Sequence, residues 1–192
     1  MRYNQNMIKK LTPPTSEEYA PFYTDYVQRA IQKGDVFAAL SNQVDVINFA
    51  LGPLTDEQAR FKPGSFDAAQ DKPAEWSIKE VIGHLNDVER VFSYRLLRIS
   101  RNDPTPLPGF EQEGYVREAG FDNHTLSDLI QEFEFLRLAN ILAIKNMPDA
   151  SALHLGTASG ATISARALIF MLVGHVDHHM ASLHEKYLPS IK

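Results

Sequence analysis

The segment Thr162-Ile-Ser-Ala-Arg-Ala-Leu-Ile-Phe-Met-Leu-Val-Gly-His-Val-Asp-His-His-Met-Ala-Ser-Leu-His-Glu-Lys-Tyr-Leu188 decides how this chain reads. It is apolar and free of proline, and it predicts one helix, capped by Thr162 or Ser164 and running to Leu188. Leu168, Leu172, Val176 and Leu183 form its apolar face. Gly174–Met180 within it carries three of the chain's seven histidines. His175 and His179 lie at the margin of the apolar face, His178 further round, and His184 on the far side. Four residues is little more than one helical turn, so His175 and His179 share one side and can grip a single ion.

Working outward, three more long segments carry the helical period. Ser77-Ile-Lys-Glu80 is a capping box, and the helix it opens should run to about Ser100. Ile78, Val81, Leu85, Val88, Phe92 and Ile99 form its buried stripe, with His84 at the stripe's edge. Thr125-Leu-Ser-Asp128 reads as a second capping box opening a helix to about Asn146. Leu129, Phe133, Leu136, Asn140 and Ile144 mark its inner face, and Met147-Pro148 ends it. Asp35 caps a helix to about Leu51, with Phe37, Leu40, Val44, Ile47 and Leu51 inward and Gly52-Pro53 as its stop.

The connections are irregular. Residues 1–15 predict an extended lead-in. A short helical segment starts at Ser16, breaks near Pro21 and continues to about Lys33, where Gly34 ends it. Its aromatics, Tyr19, Phe22, Tyr23 and Tyr26, read as packing against the bundle. Thr55 to Pro73 is a long polar connection in which Thr55-Asp-Glu-Gln adds one helical turn. Asn102 to Gly109 is a proline-rich loop, Phe110 to Glu118 a short helix, and His154 to Gly160 a loop. No run of strands stands out. The fold class is all-α, with four long helices in a bundle and short N-terminal helices before it. Residues 1–34 form an N-terminal extension packing on the bundle, and residues 35–192 the bundle domain.

Composition narrows the function. A chain of 192 residues with 44% hydrophobic and 22% charged residues is one ordinary globular domain. Its net charge of −5, with no run of Lys and Arg, argues against nucleic-acid binding. There is no cysteine, which excludes disulfides, thiolate ligands and a cysteine nucleophile, and fits a cytoplasmic protein. The first residues, Met1-Arg-Tyr-Asn-Gln-Asn, have no apolar run of the signal-peptide kind. Apolar stretches such as Ala167 to Val173 fall far short of a membrane span.

The residues that carry chemistry are therefore histidines. His175 and His179 fix two vertices of a coordination sphere, and His84 from another helix supplies a third. A three-histidine site leaves a position open for water or substrate, as catalytic metals require. Asp87, Glu89 and Asp177 are near enough in sequence to support the rings. The other reading is that these histidines sit at helix margins, each hydrogen-bonded or solvated. His178 reads as a wall or surface residue, and His124 and His154 as solvated. There is no Gly-x-Ser-x-Gly, no phosphate loop, no dinucleotide fingerprint and no His-Glu-x-x-His.

Three stretches resemble the DinB-like family, the superfamily of helical bundles that includes DinB and YfiT. They are Trp76-Ser-Ile-Lys-Glu-Val-Ile-Gly-His84-Leu-Asn-Asp with Glu89-Arg-Val-Phe, then Asp103-Pro-Thr-Pro-Leu-Pro-Gly-Phe110 with Gly156-Thr-Ala-Ser-Gly160, and Gly174-His-Val-Asp-His-His179. Their order and spacing span roughly residues 35–188. The resemblance implies an up-down-down-up four-helix bundle with a long crossover, often a homodimer. It also implies a divalent metal, zinc or nickel, held by His84, His175 and His179. Proteins similar to this include metal-dependent hydrolases and S-transferases or isomerases that use low-molecular-weight thiols. No residue is assigned a catalytic role beyond the metal. Two classes of function follow: a metal-dependent enzyme, a hydrolase or a low-molecular-weight-thiol S-transferase, acting on a small-molecule substrate, and a non-catalytic metal-binding or stress-associated bundle. A closed site would favour the second.

Overall fold

Each long helix starts where a short polar side chain can take up its free backbone N–H groups. In the computed structural model, which describes residues 11–64 and 75–191, Asp35 accepts from the N–H of Phe37 and Ala38 and opens α2 (Val36–Leu51). Ser77 accepts from Glu80 N–H at 3.1 Å, and Glu80 reaches back to Ser77 N–H at 2.7 Å, so the predicted box is closed at the start of α3 (Ile78–Ser100). Thr125 caps α5 (Leu126–Lys145) through Asp128 N–H, but without a reciprocal bond. The expected second box is therefore half a box: Asp128 is one methylene shorter than the Glu or Gln the motif needs. Ser164, not Thr162, caps α6 (Ala165–Ser182), accepting from Ala167 N–H at 3.0 Å.

Ahead of the bundle, two 3₁₀ turns around Pro21 lead into α1 (Thr24–Gln32), and Gly34 ends that segment with φ +77°. A second short α-helix, α4 (Gln112–Ala119), lies between α3 and α5. The helical turn expected at Thr55 forms at Gln58–Arg60 instead, with Thr55 accepting from Gln58 N–H at 3.2 Å. Residues 1–10 of the expected lead-in and 65–73 of the expected polar connection lie outside the described residues.

The core shows the topology. One apolar cluster joins the N-terminal ends of α2 and α6 (Val36, Leu40; Leu168, Leu172) to the C-terminal ends of α3 and α5 (Phe92, Ile99; Ile141, Ile144). The other joins the opposite ends: Ile47 and Leu51, Val176 and Met180, Ile78 and Leu85, Leu129 and Phe133. So α2 and α6 run one way and α3 and α5 the other, which is an up-down-down-up four-helix bundle. Both α2 and α3 pack against α5 and α6. The connection from α3 to its parallel neighbour α5 must cross the length of the bundle, and α4 lies within it.

Between the two clusters lies a polar belt fed by every helix. Arg137 of α5 is fully buried and donates to Gln43 of α2 at 2.7 Å, to Glu89 of α3, and to the Leu172 carbonyl of α6 at 3.0 Å. Asn140 donates to the other oxygen of Glu89 at 2.7 Å, and Gln43 donates to the Val173 carbonyl at 2.8 Å. The inward face expected for α5 is thus shifted: Arg137 is buried, while Leu136 beside it is half-exposed.

Two departures concern α6. Leu155–Ala158 (β1) and Ala161–Ser164 (β2) pair as an antiparallel hairpin where a loop was expected. Ser159 and Gly160 both have positive φ, 53° and 78°, as a two-residue hairpin turn requires. Four-residue strands carry too little alternation to be read reliably. Leu107 of the proline-rich loop bonds to this hairpin, donating to the Thr157 carbonyl at 2.8 Å. At its other end, α6 stops as a regular helix at Ser182, short of the predicted end at Leu188, widens into a π turn (Leu183–Tyr187) and then tightens into a 3₁₀ turn. Pro189 has no N–H to continue the ladder and disfavours helix in the residue before it.

Candidate metal centre

His84 projects from the second turn of α3, and His175 and His179 from the C-terminal half of α6. The antiparallel packing of these helices brings all three rings together at the polar belt. Their ligand nitrogens lie within 4.8 Å of one another. Nε2 of His84 is 3.0 Å from Nε2 of His175, and among the described residues each of those two rings has the other as its hydrogen-bond partner. Ring centroids are 4.9 Å apart for His84 and His175, 4.9 Å for His84 and His179, and 4.6 Å for His175 and His179.

A glycine precedes each helix's first histidine, and close packing explains both. A Cβ on Gly83 would lie 2.3 Å from the Phe121 ring, and one on Gly174 would lie 1.8 Å from the Tyr26 carbonyl oxygen. The backbone behind His84 is thus pressed by Phe121, and that behind His175 by α1. His84 was placed at the edge of its stripe, but it is 1% exposed, and His175 is 3% exposed.

Burial sets the charge state. It pushes the His84 imidazole down to about 4. Burial also holds His175 and His179 well below the usual histidine range, and mutual repulsion with the neighbouring rings adds to it. All three are neutral at pH 7, and neutral imidazole is the ligand form. Three clustered nitrogen donors suit zinc, nickel, copper or iron better than calcium or magnesium, which take oxygen. The donor set therefore fits a transition-metal ion.

Aromatic rings wall the cluster. Trp76 lies over His84 at 4.7 Å and is nearly parallel to His179 at 6.4 Å. Tyr26 of α1 meets His175 and His178 edge-on, each at 5.3 Å, and Phe92 lies 6.1 Å from His175. On one side the wall gives way to a cleft of about 290 Å³, bordered by His179, His178, Trp76, Glu113, Lys186 and Tyr187. Burial, with the Glu75 and Glu80 carboxylates adding to it, pushes the Tyr187 phenol up to about 12, so its hydroxyl stays a donor at the cleft floor.

The other sequence candidates separate cleanly. His178 is a cleft wall, as read, with Nδ1 3.1 Å from an Asp25 carboxylate oxygen of α1. His124 is exposed as expected, whereas His154 is half-buried, its Nδ1 3.1 Å from the Ser100 carbonyl. None of the three carboxylates singled out for support bonds a histidine of the cluster. Glu89 is taken by Arg137 and Asn140, Asp177 by Lys33 at 2.5 Å and Arg29 at 3.8 Å, and Asp87 faces Arg90 at 3.9 Å.

Sequence reasoning named neither Trp76 nor Tyr26 as a site residue. Trp76 had a signal, because the residue before an N-cap packs against the fourth helical residue, here Val81, one turn from His84. Tyr26 had none, since it reaches the site only through the docking of α1.

A sequence profile of the DinB superfamily matches residues 39–183. Among solved structures, YfiT from Bacillus subtilis, described as a probable metal-dependent hydrolase with an unusual four-helix bundle topology, superposes with TM-score 0.66 at 15% identity, over 88% of this chain and 91% of that one. The mycothiol-dependent maleylpyruvate isomerase superposes with TM-score 0.61 at 13% identity, over 88% of this chain and 67% of that one. No curated protein sequence matches the chain. At these identities the two structures show the fold alone. The profile covers most of the chain, which belongs to the DinB superfamily.

Proposed function

We propose that His84, His175 and His179 hold one divalent metal ion, zinc or nickel, and that the protein is a metal-dependent enzyme acting on a small molecule in the adjoining cleft. The observation that carries this reading is three neutral imidazoles within 4.8 Å of one another, beside a cleft that reaches His179. The ion would supply Lewis acidity and lower the pKa of a water or a thiol. The chain's own part is to hold the three rings neutral, to keep water off two sides with Trp76 and Tyr26, and to admit substrate past His178 and Trp76. The reaction class is hydrolysis or S-transfer with a low-molecular-weight thiol; the two similar structures are described as a probable metal-dependent hydrolase and a mycothiol-dependent isomerase. A cleft that reaches His179 speaks against the non-catalytic metal-binding or stress-associated alternative.

Elemental mass spectrometry of untagged protein tests the site. About one ion per chain is expected, lost in the His84→Ala/His175→Ala/His179→Ala variant. No metal in either protein after incubation with zinc and nickel would refute it. The same proposal takes residues 1–34 as an N-terminal extension packing on the bundle, residues 35–192 as the bundle domain, and the setting as cytoplasmic; no helix among the described residues is long and apolar enough to cross a membrane. It also takes the chain as a homodimer. Phe49 and Phe135, 87% and 62% exposed, give α2 and α5 apolar outer surface to bury. Sedimentation equilibrium of Phe49→Glu and Phe135→Glu should show monomers, and unchanged dimers would move the interface elsewhere.

A further inference from the structure

The cleft beside the histidines has a chemical preference of its own. Trp76 is the single tryptophan of the chain, and its indole N–H donates to Oε2 of Glu113 at 3.1 Å. That bond fixes a carboxylate at the edge of an aromatic ring at the cleft wall. Glu75 adds a second carboxylate to the same cleft. Among the described residues neither Glu75 nor Glu113 forms an ion pair with a lysine or arginine. Among the described residues bordering the cleft, Lys186 is the one lysine or arginine, against two carboxylates.

An aromatic face beside a carboxylate is the arrangement that receives an ammonium group: the ring quadrupole attracts the cation and the carboxylate accepts its N–H. A ligand anion would meet two like charges there. The same Trp76 ring lies 4.7 Å from His84, so a group on Trp76 sits beside the histidine cluster.

We propose that the substrate carries a protonated amine, seated between Trp76 and Glu113, on the arm of the molecule remote from the atom that reacts at the histidine cluster. This rests on the metal-dependent reading above and adds the substrate class. Glu113 is then a specificity-determining residue, and Trp76 positions it.

Trp76 also reports its own occupancy, because all tryptophan fluorescence comes from this ring. The zinc-loaded full chain is titrated with cysteamine, 2-mercaptoethanol and 3-mercaptopropionate, which share a thiol and differ in the charge at the far end. Cysteamine should bind about tenfold tighter than 2-mercaptoethanol, the scale of one charge-assisted contact and one cation–π contact at a half-exposed site. In Glu113→Gln, cysteamine should fall to the level of 2-mercaptoethanol, whose own affinity stays unchanged. Glu113 is exposed, so the variant should fold. Equal affinity for cysteamine and 2-mercaptoethanol, or preference for 3-mercaptopropionate, overturns the proposal; the latter outcome hands the choice to Lys186.

A second titration separates this proposal from the metal reading. Metal-free protein is titrated with propylammonium and with propionate. A Trp76 response to propylammonium alone, lost in Glu113→Gln, supports the ammonium seat even if no thiol binds the zinc-loaded protein, a result that would count against the metal reading only. No response to propylammonium overturns the seat whatever the thiols do.

Discussion

Acid should unfold the metal-free protein through its three clustered histidines, His84 and His175 buried and His179 half-buried. In the unfolded chain the His84 ring takes up a proton near its ordinary value of 6.5, and in the folded chain only near 4. Between those values the unfolded state binds more protons, so stability falls as pH falls. Above 6.5 both states are neutral and the ring contributes nothing to the pH dependence. The difference of 2.5 between 6.5 and 4 corresponds to about 3.4 kcal/mol, lost in full only below pH 4. At pH 5 the loss from His84 alone is about 2 kcal/mol by the same linkage. His175 and His179 shift in the same direction and for the same first cause, burial, so their losses add to it. Against a typical total of about 5–15 kcal/mol this is a large share.

Glu18, hydrogen-bonded to Arg166, is pushed down to about 2 from 4.5, so its loss begins below the range compared. Urea denaturation of metal-free protein at pH 7.5 and 5.0, followed by far-ultraviolet circular dichroism, measures the effect. The pH 5.0 midpoint should fall by the equivalent of at least about 2 kcal/mol. His84→Gln should shrink the difference between the two pH values, and bound zinc should raise stability most at pH 7.5, where no proton competes for the rings. Equal stability at pH 7.5 and 5.0 would mean the rings are solvated or already charged, and the argument for a neutral donor set would fail.

Two further outcomes follow from packing. Arg137→Met leaves Glu89 buried and unpaired, and should cost about 3–5 kcal/mol in urea denaturation; a cost below 1 kcal/mol would show that the belt is solvated. Gly174→Ala puts a Cβ against the Tyr26 carbonyl and should cost about 1–3 kcal/mol. It should also speed proteolysis within residues 11–34, and an unchanged cleavage rate would mean that α1 is not seated on α6.

Periodicity and capping made the four helices and most of their ends legible, because local rules set them; the end of α6 at Ser182 was not. The Ser77–Glu80 box and the Gly52-Pro53 stop needed no tertiary information. The grouping of His84 with His175 and His179 was half legible. The interval from His175 to His179 lies within one helix, but the meeting with His84 depends on how α3 and α6 align. The expected loop at 154–160 hid a hairpin because its strands are four residues each and pair only with each other and with Leu107. Arg137 was not legible at all, since a long charged side chain is rarely found fully buried and nothing local marks this one as the exception.

That last omission matters for the site. Apolar stripes alone tolerate a slip of one helix along another, since leucine packs against leucine at neighbouring turns. A slip of one turn is about 5.4 Å along the axis. It would separate His84 from His175, whose nitrogens are 3.0 Å apart, and draw Glu89 away from Arg137, leaving both charges buried and unpaired. Arg137 also holds the Leu172 carbonyl, one turn before His175 on α6, while Glu89 lies five residues after His84 on α3. The belt therefore ties both histidine-bearing helices to one guanidinium. The penalty for a buried unpaired charge, about 3–5 kcal/mol, is what sets their register. On this argument Arg137→Met should do more than lower stability. It should also loosen zinc binding by His84, His175 and His179 in the protein that remains folded, whereas a purely local packing role for Arg137 would leave the zinc affinity of that folded fraction unchanged.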